Sequence, residues 1–113
     1  MDLKVHSVTL TLPQSEHKIN VAGDEHIWDA AKNSGIALPA ICHQGRCLTC
    51  TGKLEQPGEF DASDAGYYYA EDRAAGYILL CTSKPRSDLR IRTHMQHEMR
   101  AFRRSIGLPA PYS

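Results

Sequence analysis

Apolar and polar residues alternate over the N-terminal part of the chain in the manner of a β-hairpin. Residues 3–12 alternate apolar with polar side chains and are rich in β-branched types, so they predict a strand. Residues 13–15 have turn-forming composition, and residues 16–21 predict a second strand. The two strands together predict a hairpin.

A helix is predicted after the hairpin. Residues 23–25 supply a start signal, with acidic side chains suited to a first helical turn. Ile27, Ala30 and Ala31 then face inward, and residues 33–35 end the helix.

Short elements follow a loop at 39–50 that is dense in Cys and Gly. The pattern predicts strands at 51–54, 77–80 and 88–93, and a short helix around 69–74. A mixture of strands with a few helices is typical of the α+β class.

The C-terminal segment has the period of an amphipathic helix. Its apolar residues recur at steps of four, three and four: Met95, Met99, Phe102 and Ile106. Its basic residues fall largely on the other side: Arg100, Arg103 and Arg104. We expect the apolar face to pack on the body of the protein, with a partner-binding face as the alternative. We expect the arginines to be solvated, with docking of acidic partners as the alternative.

Composition limits the size and the charge of the molecule. The chain has 113 residues, enough for one domain but not for an additional flavin- or nucleotide-binding domain. Its formal net charge is zero, but residues 1–83 carry six basic and eleven acidic side chains, net −5, whereas residues 84–113 carry seven and two, net +5. The zero is therefore a cancellation between two segments.

Several classes of protein are excluded. No apolar run approaches the roughly 20 residues of a membrane span, and the N-terminus lacks the features of a secretory or transit peptide. We therefore expect a cytoplasmic protein, or a stromal one if the chain is a processed form. No aromatic platform or groove-reading motif accompanies the basic segment, so nucleic acid is not an expected partner.

The four cysteines form the chemically informative pattern. Cys42, Cys47 and Cys50 are spaced Cys-x4-Cys-x2-Cys, and Cys81 follows after 30 residues. This is the spacing of plant-type [2Fe–2S] ligands, in which one loop supplies three thiolates and a distant segment supplies the fourth. The alternative is a zinc site, although zinc ligands usually come as two short Cys-x2-Cys pairs and only one is present here.

The negative charge of such a cluster gives a glycine in the loop a specific role. Two ferric ions, two sulfides and four thiolates sum to −2, which becomes −3 on one-electron reduction. Gly45 can adopt a positive φ, so backbone amides can point at the cluster sulfurs and offset that charge. Added negative charge in a partly dry site keeps the reduction potential low.

In this strand–strand–helix context the sequence resembles the plant-type [2Fe–2S] ferredoxins of cyanobacteria and chloroplasts. The resemblance covers about residues 3–99. Besides the cysteines, it rests on the segments 24–31, 35–39, 49–53, 75–81 and 87–94.

The resemblance implies a fold, a cofactor and a function. The fold is the β-grasp, a mixed sheet packed on a helix, here occupying residues 1–94 and followed by a C-terminal helical extension and tail at 95–113. Cys42, Cys47, Cys50 and Cys81 would ligate a [2Fe–2S] cluster. The protein would be a soluble, monomeric one-electron carrier of low potential, not an enzyme, with a reductase or acceptor enzyme as its redox partner.

The departures from the family imply a divergent minor member. Leu48 and Arg46 stand where photosynthetic members have Ser and Ala, and the aromatic near the cluster corresponds to Tyr67. The acidic segment before the family's C-terminal aromatic retains one acid, Glu98, within residues 96–100. Since complementary charge sets partner choice, we expect a partner other than the main photosynthetic reductase. The alternative is an iron- or redox-responsive regulatory protein acting through partner binding.

Overall fold

A computed structural model of the chain describes residues 4–38, 50–66 and 68–110. In chain order the elements are β1 (Val5–Thr11), β2 (Glu16–Ala22), α1 (Ile27–Asn33), β3 (Thr51–Leu54), β4 (Phe60–Asp61), α2 (Ala70–Ala74), β5 (Tyr77–Leu79), β6 (Lys84–Pro85), β7 (Leu89–Arg92) and α3 (Gln96–Ser105). The predicted α+β composition is confirmed.

Five strands form one mixed sheet in the order β2-β1-β7-β3-β5. β1 pairs with β7 in parallel, and the other neighbours pair antiparallel. β4 and β6 form a separate two-stranded sheet. These two were not predicted, because a strand of two residues is too short to show any alternation.

The alternation that predicts β1 also determines its burial. His6, Val8 and Leu10 are buried, whereas the residues between them are half-buried. α1 packs on β2 and places Ile27, Ala30 and Ala31 in the core, as predicted. Gly35, at φ 81°, follows the end of this helix, as its C-terminal signal predicts.

The predicted start of α1 is wrong by a few residues. The helix begins at Ile27, because residues 23–25 form the turn that ends the hairpin. In that turn the Gly23 amide donates to the Lys4 carbonyl and the Glu25 amide donates to the Ala22 carbonyl, at 2.9 and 3.0 Å. The acidic side chains therefore precede the helix instead of lying in its first turn.

The burial of α3 differs from the predicted one. Met99 is fully buried and Phe102 packs against the ring of Tyr77, with centroids 5.4 Å apart, but Ile106 is 45% exposed. Arg100 and Arg103, expected in solvent, are buried instead. The apolar residues of α3 do not by themselves predict which of its side chains are buried. Asp72 of α2 provides a buried carboxylate, and Arg103 turns inward to pair with it.

Arg103 and Asp72 form an ion pair with no solvent exposure on either side chain. The guanidinium donates twice to the carboxylate, with Nε–Oδ1 at 3.2 Å and Nη2–Oδ2 at 2.7 Å. Its Nη1 donates to the Pro109 carbonyl at 3.2 Å, and the group lies 4.9 Å from the centre of the Tyr69 ring. One side chain thus joins α2, α3 and the tail.

The basic C-terminal segment is mostly neutralised by the rest of the chain. Among the described residues, its basic side chains form ion pairs with preceding carboxylates at Arg103–Asp72, Lys84–Asp64, Arg86–Asp61, Arg90–Glu16, Arg90–Glu55 and Arg92–Glu55. Much of the positive charge of this segment is therefore paired with carboxylates of the preceding residues, and the described part of the chain presents a smaller basic surface than the sequence indicates.

Within the described ranges, no helix has the length and apolar character needed to cross a membrane.

Replacing Arg103 by Met should destabilise the protein strongly. The change leaves the Asp72 carboxylate buried and unpaired, which costs about 3–5 kcal/mol. The measurement is the free energy of unfolding from urea denaturation. The matched control is Arg104→Met, since Arg104 is exposed and should change stability by about 0.5 kcal/mol or less. Equal free energies of unfolding for the two variants would show that the buried ion pair does not stabilise the fold.

Candidate metal centre

Two of the four predicted ligands lie in the described part of the chain, and the sheet brings them together. Cys50 directly precedes β3 and Cys81 follows β5, and these strands pair with Thr51 opposite Leu79. The Leu80 amide donates to the Cys50 carbonyl at 3.1 Å, which extends the ladder to the cysteines. Residues 31 positions apart in sequence thereby become neighbours.

The two thiols face each other in a buried position. The Sγ atoms of Cys50 and Cys81 are 2.7 Å apart, and the residues are 2% and 5% exposed. No disulfide bond joins the two residues. Buried thiols from two separate segments are the donors that zinc and iron–sulfur clusters prefer.

The start of α1 holds the turn that carries Cys81. The Trp28 amide donates to the Leu80 carbonyl at 2.9 Å, and the Ile27 amide donates to the Ser83 carbonyl at 3.0 Å. The Trp28 indole also donates to the Leu38 carbonyl at 3.1 Å. The helix therefore fixes both the Cys81 turn and the last described residue before 39–49.

The remaining predicted site residues lie outside the described part of the chain. These are Cys42, Cys47, Gly45, Arg46, Leu48 and Tyr67. In the described ranges, no group of three or more His, Cys, Asp or Glu side chains could hold a metal ion. The assignment of all four cysteines as ligands stays a prediction. Two of them, Cys50 and Cys81, lie in the described part of the chain and are in contact.

Two hydroxyl groups beside Cys81 support a bound group at this position. Thr82 Oγ1 and Ser83 Oγ are buried, and neither has a hydrogen-bond partner among the described residues. Sequence reasoning did not find them, because Thr and Ser after a strand are common and their burial shows only in the fold. Buried hydroxyls on the two residues after a ligand cysteine are available to donate hydrogen bonds to a bound group.

α3 docks on the strand that follows Cys50. The Met95 amide donates to the Thr51 carbonyl at 3.1 Å, and the Thr51 hydroxyl donates to Met99 Sδ at 3.3 Å. Glu98 forms an ion pair with Lys53, with Oε1–Nζ at 3.0 Å. The C-terminal helix therefore contacts the strand next to the predicted metal centre.

Two tyrosines near β5 remain protonated at neutral pH. Burial, assisted by the nearby Glu98 carboxylate, raises the pKa of Tyr77 to about 12. Burial likewise raises the pKa of Tyr68, whose hydroxyl donates to the Tyr77 carbonyl. Neither phenol can add negative charge to this end of the sheet.

The family model described as "2Fe-2S iron-sulfur cluster binding domain" matches residues 10–86. The chain belongs to the plant-type [2Fe–2S] ferredoxin family. Ferredoxin-2 of Synechococcus sp. is 42% identical over 79 residues, which cover 70% of this chain and 74% of that protein. The maize protein "Ferredoxin-6, chloroplastic" is 35% identical over 96 residues, covering 84% of this chain.

The ferredoxin match does not extend over the whole of every relative. The chain spans 61% of the maize protein. The crystal structure of pectocin M2 superimposes with a TM-score of 0.70 at 30% identity, over 79% of this chain and 33% of that one. These similarities confirm the predicted β-grasp fold and the [2Fe–2S] cluster as the cofactor.

Gly52→Ala should destabilise the sheet beside Cys50. A Cβ at Gly52 would lie 2.5 Å from Ile91 Cγ2 and 3.1 Å from the Arg92 carbonyl oxygen, so β7 would have to move away from β3. Such overpacking costs about 1–3 kcal/mol. Urea denaturation measures the loss, and a change within about 0.5 kcal/mol would mean that β7 yields without cost.

Proposed function

We propose that the protein is a one-electron carrier whose [2Fe–2S] cluster is held by Cys42, Cys47, Cys50 and Cys81. The observation that supports this most directly is the meeting of Cys50 and Cys81, because the ferredoxin arrangement requires the third loop cysteine and the distant cysteine to share one buried position. Family membership supports the carrier role.

The bound cluster supplies reversible one-electron reduction at low potential, on a scale of about −400 mV for the plant type. The chain's own residues bind and shield it. Cys50 and Cys81 are buried, and hydrogen bonds from Ile27 and Trp28 fix the Cys81 turn. A Cys81 turn held by these hydrogen bonds needs little rearrangement when the charge of the site changes, which suits a carrier.

We propose a partner other than the main photosynthetic reductase. The one acid left in residues 96–100 is Glu98, and its carboxylate is paired with Lys53. In the same segment Met99 and Arg100 are buried. A basic reductase would therefore meet little free negative charge on this helix, and complementary charge sets the rate of encounter.

The remaining expectations stay proposals. We retain a ferredoxin domain at 1–94 and an extension at 95–113, a monomer, and a location in the cytoplasm or the stroma. The contacts of α3 with Thr51 and Lys53 favour an extension that folds together with the domain. No observation on the described residues favours the regulatory alternative.

Replacing Cys81 by Ala should abolish the cluster. Purified wild-type protein should show visible thiolate-to-iron absorption and take up one electron per chain in a redox titration, and Cys81→Ala should lose both. Cys42→Ala, Cys47→Ala and Cys50→Ala should behave in the same way. Thr93→Val, a change at a buried residue whose hydroxyl has its own partners, is the control. A colourless wild-type protein containing zinc would contradict the proposal.

Replacing Lys53 by Gln should accelerate electron transfer to a basic photosynthetic reductase. The change removes the cation paired with Glu98, and complementary charge acts mainly on the rate of encounter, so we expect a higher second-order rate at low salt. The rise should shrink at high salt. Lys18→Gln, at an exposed residue, is the control. Equal rates for the wild type and Lys53→Gln would contradict the role of this pair.

A further inference from the structure

Two neighbouring hydroxyl groups have no hydrogen-bond partner in the described part of the chain. Thr82 is 3% exposed and Ser83 is fully buried, and both follow Cys81 directly. Buried hydroxyls elsewhere in the same ranges are satisfied. Thr51 donates to Met99 Sδ, and Thr93 has the Thr11 carbonyl and the His94 ring within reach.

Buried hydroxyl groups destabilise the fold unless an acceptor forms hydrogen bonds with them. Leaving a buried donor unpaired costs about 1–3 kcal/mol, and about 90% or more of buried polar groups in proteins are paired. Unpaired hydroxyls on two consecutive buried residues would therefore lower the stability of a domain of this size by an unusual amount. We expect an acceptor at this position.

The backbone prevents the two side chains from turning to solvent. The Thr82 amide donates to the Leu79 carbonyl at 3.3 Å, and the Ser83 carbonyl accepts from the Ile27 amide at 3.0 Å. The segment is thus held on one side by β5 and on the other by α1. Both hydroxyls are buried, on the two residues that follow Cys81 in the chain.

We propose that the Thr82 and Ser83 hydroxyls donate hydrogen bonds to sulfur atoms of the [2Fe–2S] cluster or of its thiolate ligands. The inference rests on the proposed function. Sulfur in an anionic cluster is an acceptor, and hydrogen bonds to the sulfurs are among the factors that set the reduction potential.

The two hydroxyls raise the reduction potential. One-electron reduction takes the cluster from −2 to −3, and a donor stabilises the more negative state more strongly. They also offset part of the cost of placing that charge in a buried site. Thr82 and Ser83 therefore tune the electron affinity of the carrier without binding iron.

The test compares Thr82→Val, Ser83→Ala and the double variant as cluster-loaded proteins. The midpoint potential is measured by redox titration, and the iron–sulfur stretching bands are measured by resonance Raman spectroscopy in H2O and D2O. At least one single variant should have a lower potential than the wild type, and the double variant the lowest. The deuterium sensitivity of the bands should decrease in parallel.

Conservative variants and a control separate this role from a packing effect. Thr82→Ser and Ser83→Thr keep a hydroxyl and should restore the wild-type potential. Thr93→Val removes a buried hydroxyl with partners of its own and should leave the potential unchanged. If Thr82→Val does not take up the cluster, Thr82→Ala compared with Thr82→Ser gives the same comparison.

An unchanged potential and unchanged bands in the double variant would overturn the inference. The hydroxyls would then donate to an acceptor other than sulfur, and the proposed carrier function would stand. A wild-type protein without an iron–sulfur cluster would instead overturn the proposed function itself.

Discussion

The antiparallel pairing of β3 with β5 is the constraint on which the site depends. It places Thr51 opposite Leu79, so Cys50 and Cys81, just beyond the paired residues, meet although 30 residues separate them. A shift of this register by one residue would turn the side chains to the other face of the sheet. α1 secures the arrangement by donating two amides to the turn at 80–83. The meeting of the two thiols is thus a consequence of strand register.

The charge asymmetry of the sequence is resolved inside the molecule. Five basic side chains after residue 83 pair with carboxylates from before it, and the Arg103–Asp72 pair lies fully in the interior. Removing one partner of such a pair is costly, because the other remains buried and charged. α3 and the tail are therefore tied to α2, and the acid that α3 could offer to a partner is already paired with Lys53.

Sequence reasoning succeeded where a local pattern determines the structure. The alternation of β1, the inward face of α1 and the period of α3 all lie in short windows, and the spacing of the cysteines alone indicated the cofactor. It failed where the burial of a side chain depends on a residue that is distant in the sequence. Arg103 is buried because Asp72 lies opposite it, 31 positions away. Thr82 and Ser83 are ordinary in sequence, and only the fold shows that both are buried without a partner among the described residues.

Cys50 and Cys81 are proposed to bind one two-iron cluster from a shared buried position. A crystal structure of the native protein with anomalous diffraction at the iron edge tests this proposal most directly. We predict two neighbouring iron peaks, with the Sγ atoms of Cys50 and Cys81 among the ligands and Cys42 and Cys47 completing the set. A single peak at the zinc edge, or iron peaks without Cys81 as a ligand, would contradict the account.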